Sequence, residues 1–272
     1  MAERRWWLQH GRCSRAPSGW LPLCVLALAC ACKAEQKHKK PTETPRLQIQ
    51  EAVAQPLGDA AENPCSEPAS DRLSLIDDFE DGDGILPRVG DRNGSWYVAT
   101  DGTLGASVRP PVGMANPERL FPARCNSNFA IHFAGRGFDT WGAVIGLNLR
   151  FERQVQPADV SAYKGLRFWT RANEYNYGVL RINLDDGATH PVGGVCSKAT
   201  AKGEECWNSY TFEMPVLSRE WEQHFVRFEE MTQKIPREKP TPADLSHVYL
   251  IGFKVSPGNT FDLWLDDVGL FK

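Results

Sequence analysis

Basic residues hold no majority in this chain: 31 Lys and Arg stand against 34 Asp and Glu, a net charge of −3 over 272 residues. Without a positive field, nucleic acid is excluded as a partner. Metal-ligand spacings are missing too. No two of Cys65, Cys125, Cys196 and Cys206 are spaced as CxxC, and His132, His190, His224 and His247 form no ligand pair, which argues against zinc. GxSxG, HExxH, P-loop and GxGxxG motifs are absent, so the common hydrolase and nucleotide-binding signatures are not there. A glycosidase needs two carboxylates around a cleft. Asp185 with Glu213 would supply a pair, as any acidic strand face would. No period of the solenoid or propeller kind is present. The apolar run Trp20–Ala31 is too short to span a bilayer.

That run follows Arg4, Arg5, Arg12 and Arg15, and residues 1–32 read as a secretory signal. It ends in Ala27-Leu28-Ala29-Cys30, then Ala31-Cys32. Small residues before a cysteine resemble a bacterial lipobox, with Cys30 the first candidate for acylation and Cys32 the second. No acidic residue follows directly, as in lipoproteins sorted to an outer membrane. The expectation is an exported lipoprotein of the bacterial envelope, with the membrane as a partner through the lipid. An ordinary signal peptide with incidental cysteines is the alternative. Residues 33–71, rich in Lys, Glu, Gln and Pro, read as a disordered tether spanning roughly 35 Å. Four cysteines remain in the exported part, suggesting two disulfides. Cys196 and Cys206 flank one loop and are paired, which leaves Cys65 with Cys125.

From residue 72 onward short apolar runs alternate with turn signals, the pattern of an all-β domain. Arg72–Glu80, Gly94–Thr100, Leu104–Arg109, Asn128–Phe133 and Trp141–Arg150 read as strands, as do Leu166–Ala172, Val179–Asp185, Trp207–Met214, Trp221–Phe228, Val248–Val255 and Phe261–Phe271. In the last, Phe261, Leu263 and Leu265 alternate with Asp262 and Asp266, and Trp264, Val268 and Leu270 add apolar weight on the second face, which marks a central strand. Carboxylates Asp266 and Asp267 inside it need a partner, and the acidic stretch Leu73–Glu80 is the natural one. Roughly 200 residues are enough for one self-sufficient core. The fold expected is an antiparallel β-sandwich of jelly-roll type, over residues 72–272.

The order LIDDFEDGDG, WGAVIGLNL, YKGLRFWTRAN, WEQHFVRFEEM, ADLSHVYLIGFKV and FDLWLDDVGLF is similar to the carbohydrate-binding modules of family 11 and related galactose-binding-like jelly rolls. The resemblance runs from about Leu73 to Phe271. It implies a structural calcium ion held by Glu80 and Asp266, clamping the first strand to the last. It also implies a non-catalytic site for a polysaccharide or other glycan on one sheet. Where that family would show a tyrosine before the Trp141-Gly142 pair, this chain has Thr140; Cys206 stands before Trp207.

A sugar presents apolar C–H faces and a rim of hydroxyls, so its site needs an aromatic plate and planar hydrogen-bonding groups. With Leu166–Ala172 and Val179–Asp185 as neighbouring strands, Trp169, Arg171, Arg181, Asn183 and Asp185 would share one face, with Glu213 beside them. Trp96 and Tyr97 are second candidates, at least one of them in the core, and His190 reads as a surface residue. An envelope scaffold or partner-binding lipoprotein with no sugar site is the alternative function.

Overall fold

The computed structural model describes residues 75–173, 180–196, 205–235 and 241–272. The signal and lipobox with Cys30 and Cys32, the tether, and Cys65 lie outside the described residues. The strands are β1 (Leu75–Asp77), β2 (Ser95–Thr100), β3 (Ser107–Arg109), β4 (Gly113–Met114), β5 (Glu118–Arg124), β6 (Ser127–Arg136), β7 (Ala143–Asn148), β8 (Arg150–Phe151), β9 (Val155–Gln156), β10 (Gly165–Ala172), β11 (Leu180–Asp186), β12 (Tyr210–Glu213), β13 (Glu222–Arg227), β14 (Thr232–Gln233), β15 (Val248–Val255) and β16 (Phe261–Phe271). Two antiparallel sheets carry nearly all of them. The first runs β13-β10-β16-β6-β3, with β1 added on β16 and β5 on β6. The second runs β14-β12-β11-β15-β7-β2-β4. Successive segments keep changing sheet: β6 lies in the first, β7 in the second, β10 in the first, β11 in the second. This winding is that of a jelly-roll sandwich.

The core is the product of alternation on both inner faces. Phe79, Trp96, Phe133, Phe168, Phe253 and Phe261 are essentially inaccessible. Phe253 of the second sheet meets Phe168 of the first edge-on, with ring centroids 5.1 Å apart. Trp96 is thus a core residue; its Nε1–H donates to the buried carboxylate of Asp77 at 2.9 Å.

The first and last strands are neighbours, with Leu75 opposite Gly269 and Asp77 opposite Val268. Strand β16 changes register on the way. Phe261, Leu263 and Leu265 face the core, and so do Val268 and Leu270. An odd-to-even switch requires one extra residue, because a slip of one turns every side chain to the other face. Asp267 supplies it, at φ 46°, beside the register shift between Arg167 and Trp169 on β10. The same break turns the Asp266 and Asp267 side chains toward a common partner.

Several strands are shorter than expected. Leu104 lies in a turn and only Ser107–Arg109 forms β3. Trp141 does not share the core face of β7, because the strand begins at Ala143. Trp207 precedes β12 and has φ 68°.

Candidate functional site

The outer face of the second sheet carries an open cleft. Register places Thr211, Asn183, Gly252, Gly146 and Tyr97 in one row across β12, β11, β15, β7 and β2, and Glu213, Arg181, Lys254, Val144 and Ala99 in the next. Two hollows, of about 550 Å³ and about 340 Å³, share Asn183, Trp207, Ser209 and Lys254 along this face. The larger is floored by Tyr97, Val144, Leu250 and Asp185 and walled by Trp141 and Trp207. The smaller continues over Arg181, Thr211 and Glu213. Gly146 keeps the floor low: a Cβ there would come within 2.8 Å of the Tyr97 ring.

Each wall is built by a specific local device. On one side, the Asp101 carboxylate accepts the backbone N–H groups of Thr140, Trp141 and Gly142 at 2.9–3.0 Å. These bonds, with that from the Thr103 hydroxyl, hold its carboxyl well below the usual range against a desolvation that pushes the other way. Gly142 sits at φ 97°, and a Cβ there would lie 1.9 Å from the Val255 carbonyl oxygen. Only glycine allows this turn, which lifts Trp141 out of the strand and over Lys254, whose Nζ is 5.2 Å from the ring centroid. On the other side, Cys206 is joined to Cys196 by a disulfide, and the Trp207 N–H donates to Thr189 at 2.8 Å. The Trp207 ring meets His190 edge-on at 5.0 Å, and His190 stacks flat on Tyr249 at 5.2 Å. His190 is therefore a buried prop for the wall rather than a surface residue, and burial depresses its pKa.

Asp185 is the chemically distinctive group on the floor. It is 1% exposed, and its Oδ1 has no hydrogen-bond partner. Burial pushes its carboxyl up to about 6, against the opposing pull of the nearby Ser209 and Thr189 hydroxyls. Lys254 is pushed down by burial and by Arg181. Arg181 itself pairs with Glu213 at 2.7 Å and donates to Ser256.

Arg181, Asn183, Asp185 and Glu213 thus lie where the alternation put them, on one outer face. Trp169 and Arg171 do not join them. Strand β10 pairs with β13 and β16, whereas β11 pairs with β12 and β15, so the two are not neighbours and their outer faces point in opposite directions. Trp169, 7% exposed, and Arg171 belong to a column on the first sheet. There the Arg124 guanidinium lies over Trp169, Arg171 lies between Trp221 and Trp264, and Trp264 stacks on His132. The residues not singled out in advance are Trp141, Trp207, Leu250 and Lys254. Lys254 and Leu250 alternate outward along β15 and were legible in that pattern. Trp207 depends on a loop conformation, and Trp141 on the positive φ of Gly142.

Glu80 and Asp266, the residues expected to hold calcium, are close: Ser127 Oγ lies 3.2 Å from Glu80 Oε1 and 2.8 Å from Asp266 Oδ2. Their oxygens are nevertheless committed to donors. Glu80 accepts the N–H groups of Asn128 and Phe129 and the Asn128 amide. Asp266 accepts Arg124 Nε at 2.9 Å and the Asp267 N–H at 2.8 Å. Calcium takes six to eight oxygens with lone pairs to give, so this donor-filled set does not fit it. Among the described residues no group of three or more His, Cys, Asp and Glu is placed to hold a metal ion.

An antiparallel sandwich with an aromatic-walled polar cleft across one sheet is the class these features define. No family model matches the chain. Endoglucanase 3 of Fibrobacter succinogenes is 27% identical over 230 residues, 80% of this chain; the chain spans about 30% of that enzyme's length. Among solved structures, the chain is similar to a family 11 carbohydrate-binding module from Clostridium thermocellum in complex with a β-1,3-1,4-mixed-linked tetrasaccharide. That match has 12% identity and a TM-score of 0.44, covering 73% of this chain and 94% of that one. A family 30 module of a Clostridium thermocellum cellulosomal cellulase matches at 14% identity and a TM-score of 0.43, over 65% of this chain and 91% of that one.

Proposed function

We propose that the domain binds a polysaccharide in the cleft of the second sheet without cleaving it, and that a lipid on Cys30 or Cys32 holds it to the outer membrane of a bacterial envelope. The observation that carries the binding reading is the pairing of Trp141 and Trp207 across a floor where Asp185 Oδ1 is buried and without a partner. The tryptophans offer plates for the C–H faces of sugar rings. Asp185, Asn183 and Lys254 offer an acceptor, an amide and a donor for hydroxyls. The relative is an endoglucanase, so a glucan is the first probe. The non-cleaving reading rests on Glu213, the exposed acid of the cleft, whose carboxylate is engaged by Arg181.

Isothermal titration of the purified chain with the β-1,3-1,4-mixed-linked tetrasaccharide, backed by a glycan array, tests the first statement. Binding is expected, and Trp141→Ala or Trp207→Ala weakens it roughly tenfold. A folded chain that binds no glycan overturns it and favours an envelope scaffold; release of reducing ends overturns the non-catalytic clause. The anchor is tested by the mass of the mature N-terminal peptide, which carries acyl chains on Cys30 or Cys32. An unacylated N-terminus would defeat it.

A further inference from the structure

We propose that the Arg124 guanidinium is the cation that ties the two ends of this domain together, and that the fold closes without any metal ion. Arg124 ends β5, and the tight turn at Cys125 and Asn126 leads directly into β6, with Arg124 opposite Ser127. Cys125 adopts φ 54° there and is itself disulfide-bonded, which fixes where the arginine starts. Its side chain is 5% exposed. Nε donates to Asp266 Oδ2 at 2.9 Å, and one terminal nitrogen pairs with Asp267. The planar fork spans two consecutive carboxylates, which a point-charge ammonium would not match. The positive φ of Asp267 is what makes the double contact possible, since consecutive strand residues otherwise point to opposite faces.

The rest of the guanidinium is covered by aromatic planes. Its centre lies 4.7 Å from the Trp169 ring centroid and 5.6 Å from that of Trp221. Burial pushes the Asp266 carboxyl up, and Arg124 pulls it back toward the ionised form. From the same hairpin, Ser127, Asn128 and Phe129 reach Glu80 just beyond β1. One hairpin therefore grips the chain immediately after the first strand with neutral donors, and the last strand with a positive charge. A divalent ion at this point would have to displace a guanidinium that is already paired, stacked and enclosed. Arg124 cannot serve the cleft, which lies on the other sheet, so this inference stands apart from what the cleft binds.

The melting temperature of the full chain, read with and without a chelator and with added calcium, tests the proposal directly. The expected result is one melting curve under all three conditions and no stoichiometric calcium by elemental analysis. Arg124→Met keeps the stem but leaves two carboxylates without their cation. It is expected to lower the melting temperature by about 10 °C, and Arg124→Lys by less. Should Arg124→Met not fold, Asp267→Asn, at the more exposed end of the pair, is expected to give a smaller but measurable fall. A wild-type melting temperature that drops in chelator, or one bound calcium per chain, overturns the proposal. So does an Arg124→Met protein as stable as wild type.

Discussion

At the scale of single residues, Asp185 sets stability against binding. Because burial raises its carboxyl to about 6, the folded protein keeps a proton that the unfolded chain has already released above about 4. The stability it contributes is therefore fully present below about 4 and lost as pH rises through about 6. Binding runs the other way, since the ionised group is the better acceptor for a sugar hydroxyl. Affinity for the tetrasaccharide is expected to rise through about pH 6, in titrations spanning pH 5 to 7. Asp185→Asn should flatten that profile, raise the melting temperature at neutral pH and weaken binding roughly tenfold. Lys254, Tyr97 and Asp186 surround the carboxyl and are unchanged in the variant, so the flattening isolates Asp185. The alternation of Arg181, Asn183 and Asp185 made this residue visible in the sequence. Its unpartnered oxygen was not visible, because that depends on what packs against it.

At the scale of elements, the two walls of the cleft come from turns rather than strands, and each has one weak point. Gly142→Ala drives a Cβ toward the Val255 carbonyl at a positive φ. A loss of about 1–3 kcal/mol in chemical denaturation is expected, with weaker sugar binding because Trp141 loses its seat. On the opposite wall, Cys196–Cys206 closes the loop next to Trp207. Reducing it, or replacing both cysteines with serine, should weaken binding about as much as Trp207→Ala, roughly tenfold. Combining the changes should add little, since both remove the same plate. Full additivity in that cycle would mean that the bond supports something other than Trp207. The cysteine pair and the Trp-Gly pair were both legible as signals. That each one positions an aromatic wall was not, since turn geometry is set by bonds to Asp101, Thr189 and His190 from elsewhere in the chain.

At the scale of the whole molecule, the two sheets share one core, and Phe253 is where they interlock. Its ring lies 6.1 Å from Trp96 within the second sheet and 5.1 Å from Phe168 across the gap. Phe253→Ala is expected to cost about 4 kcal/mol, measured by denaturant unfolding, and to weaken both sheets in one transition. Separate transitions for the two faces would contradict a common core. The sandwich also has two differently furnished outsides. The second sheet presents a hollow with tryptophans at its edges. The first presents a packed column in which arginines alternate with Trp169, Trp221 and Trp264. Both faces carry arginine and tryptophan, so the presence of these residue types does not tell the cleft from the column; closeness of packing does.

The sequence by itself determined the all-β class and the alternation that puts Arg181, Asn183 and Asp185 on one side of their strand. These follow from a period of two and from the placement of turn residues, which are local properties of the chain. Only the tertiary structure decided which sheet each strand entered, and therefore that Arg181, Asn183, Asp185 and Glu213 line a cleft while Trp169 and Arg171 lie on the far side. It also decided that the acidic pair of β16 faces an arginine 142 positions away in the chain. Neither result has a local signal, because sheet order and long-range ion pairing are set by how the crossovers close the core.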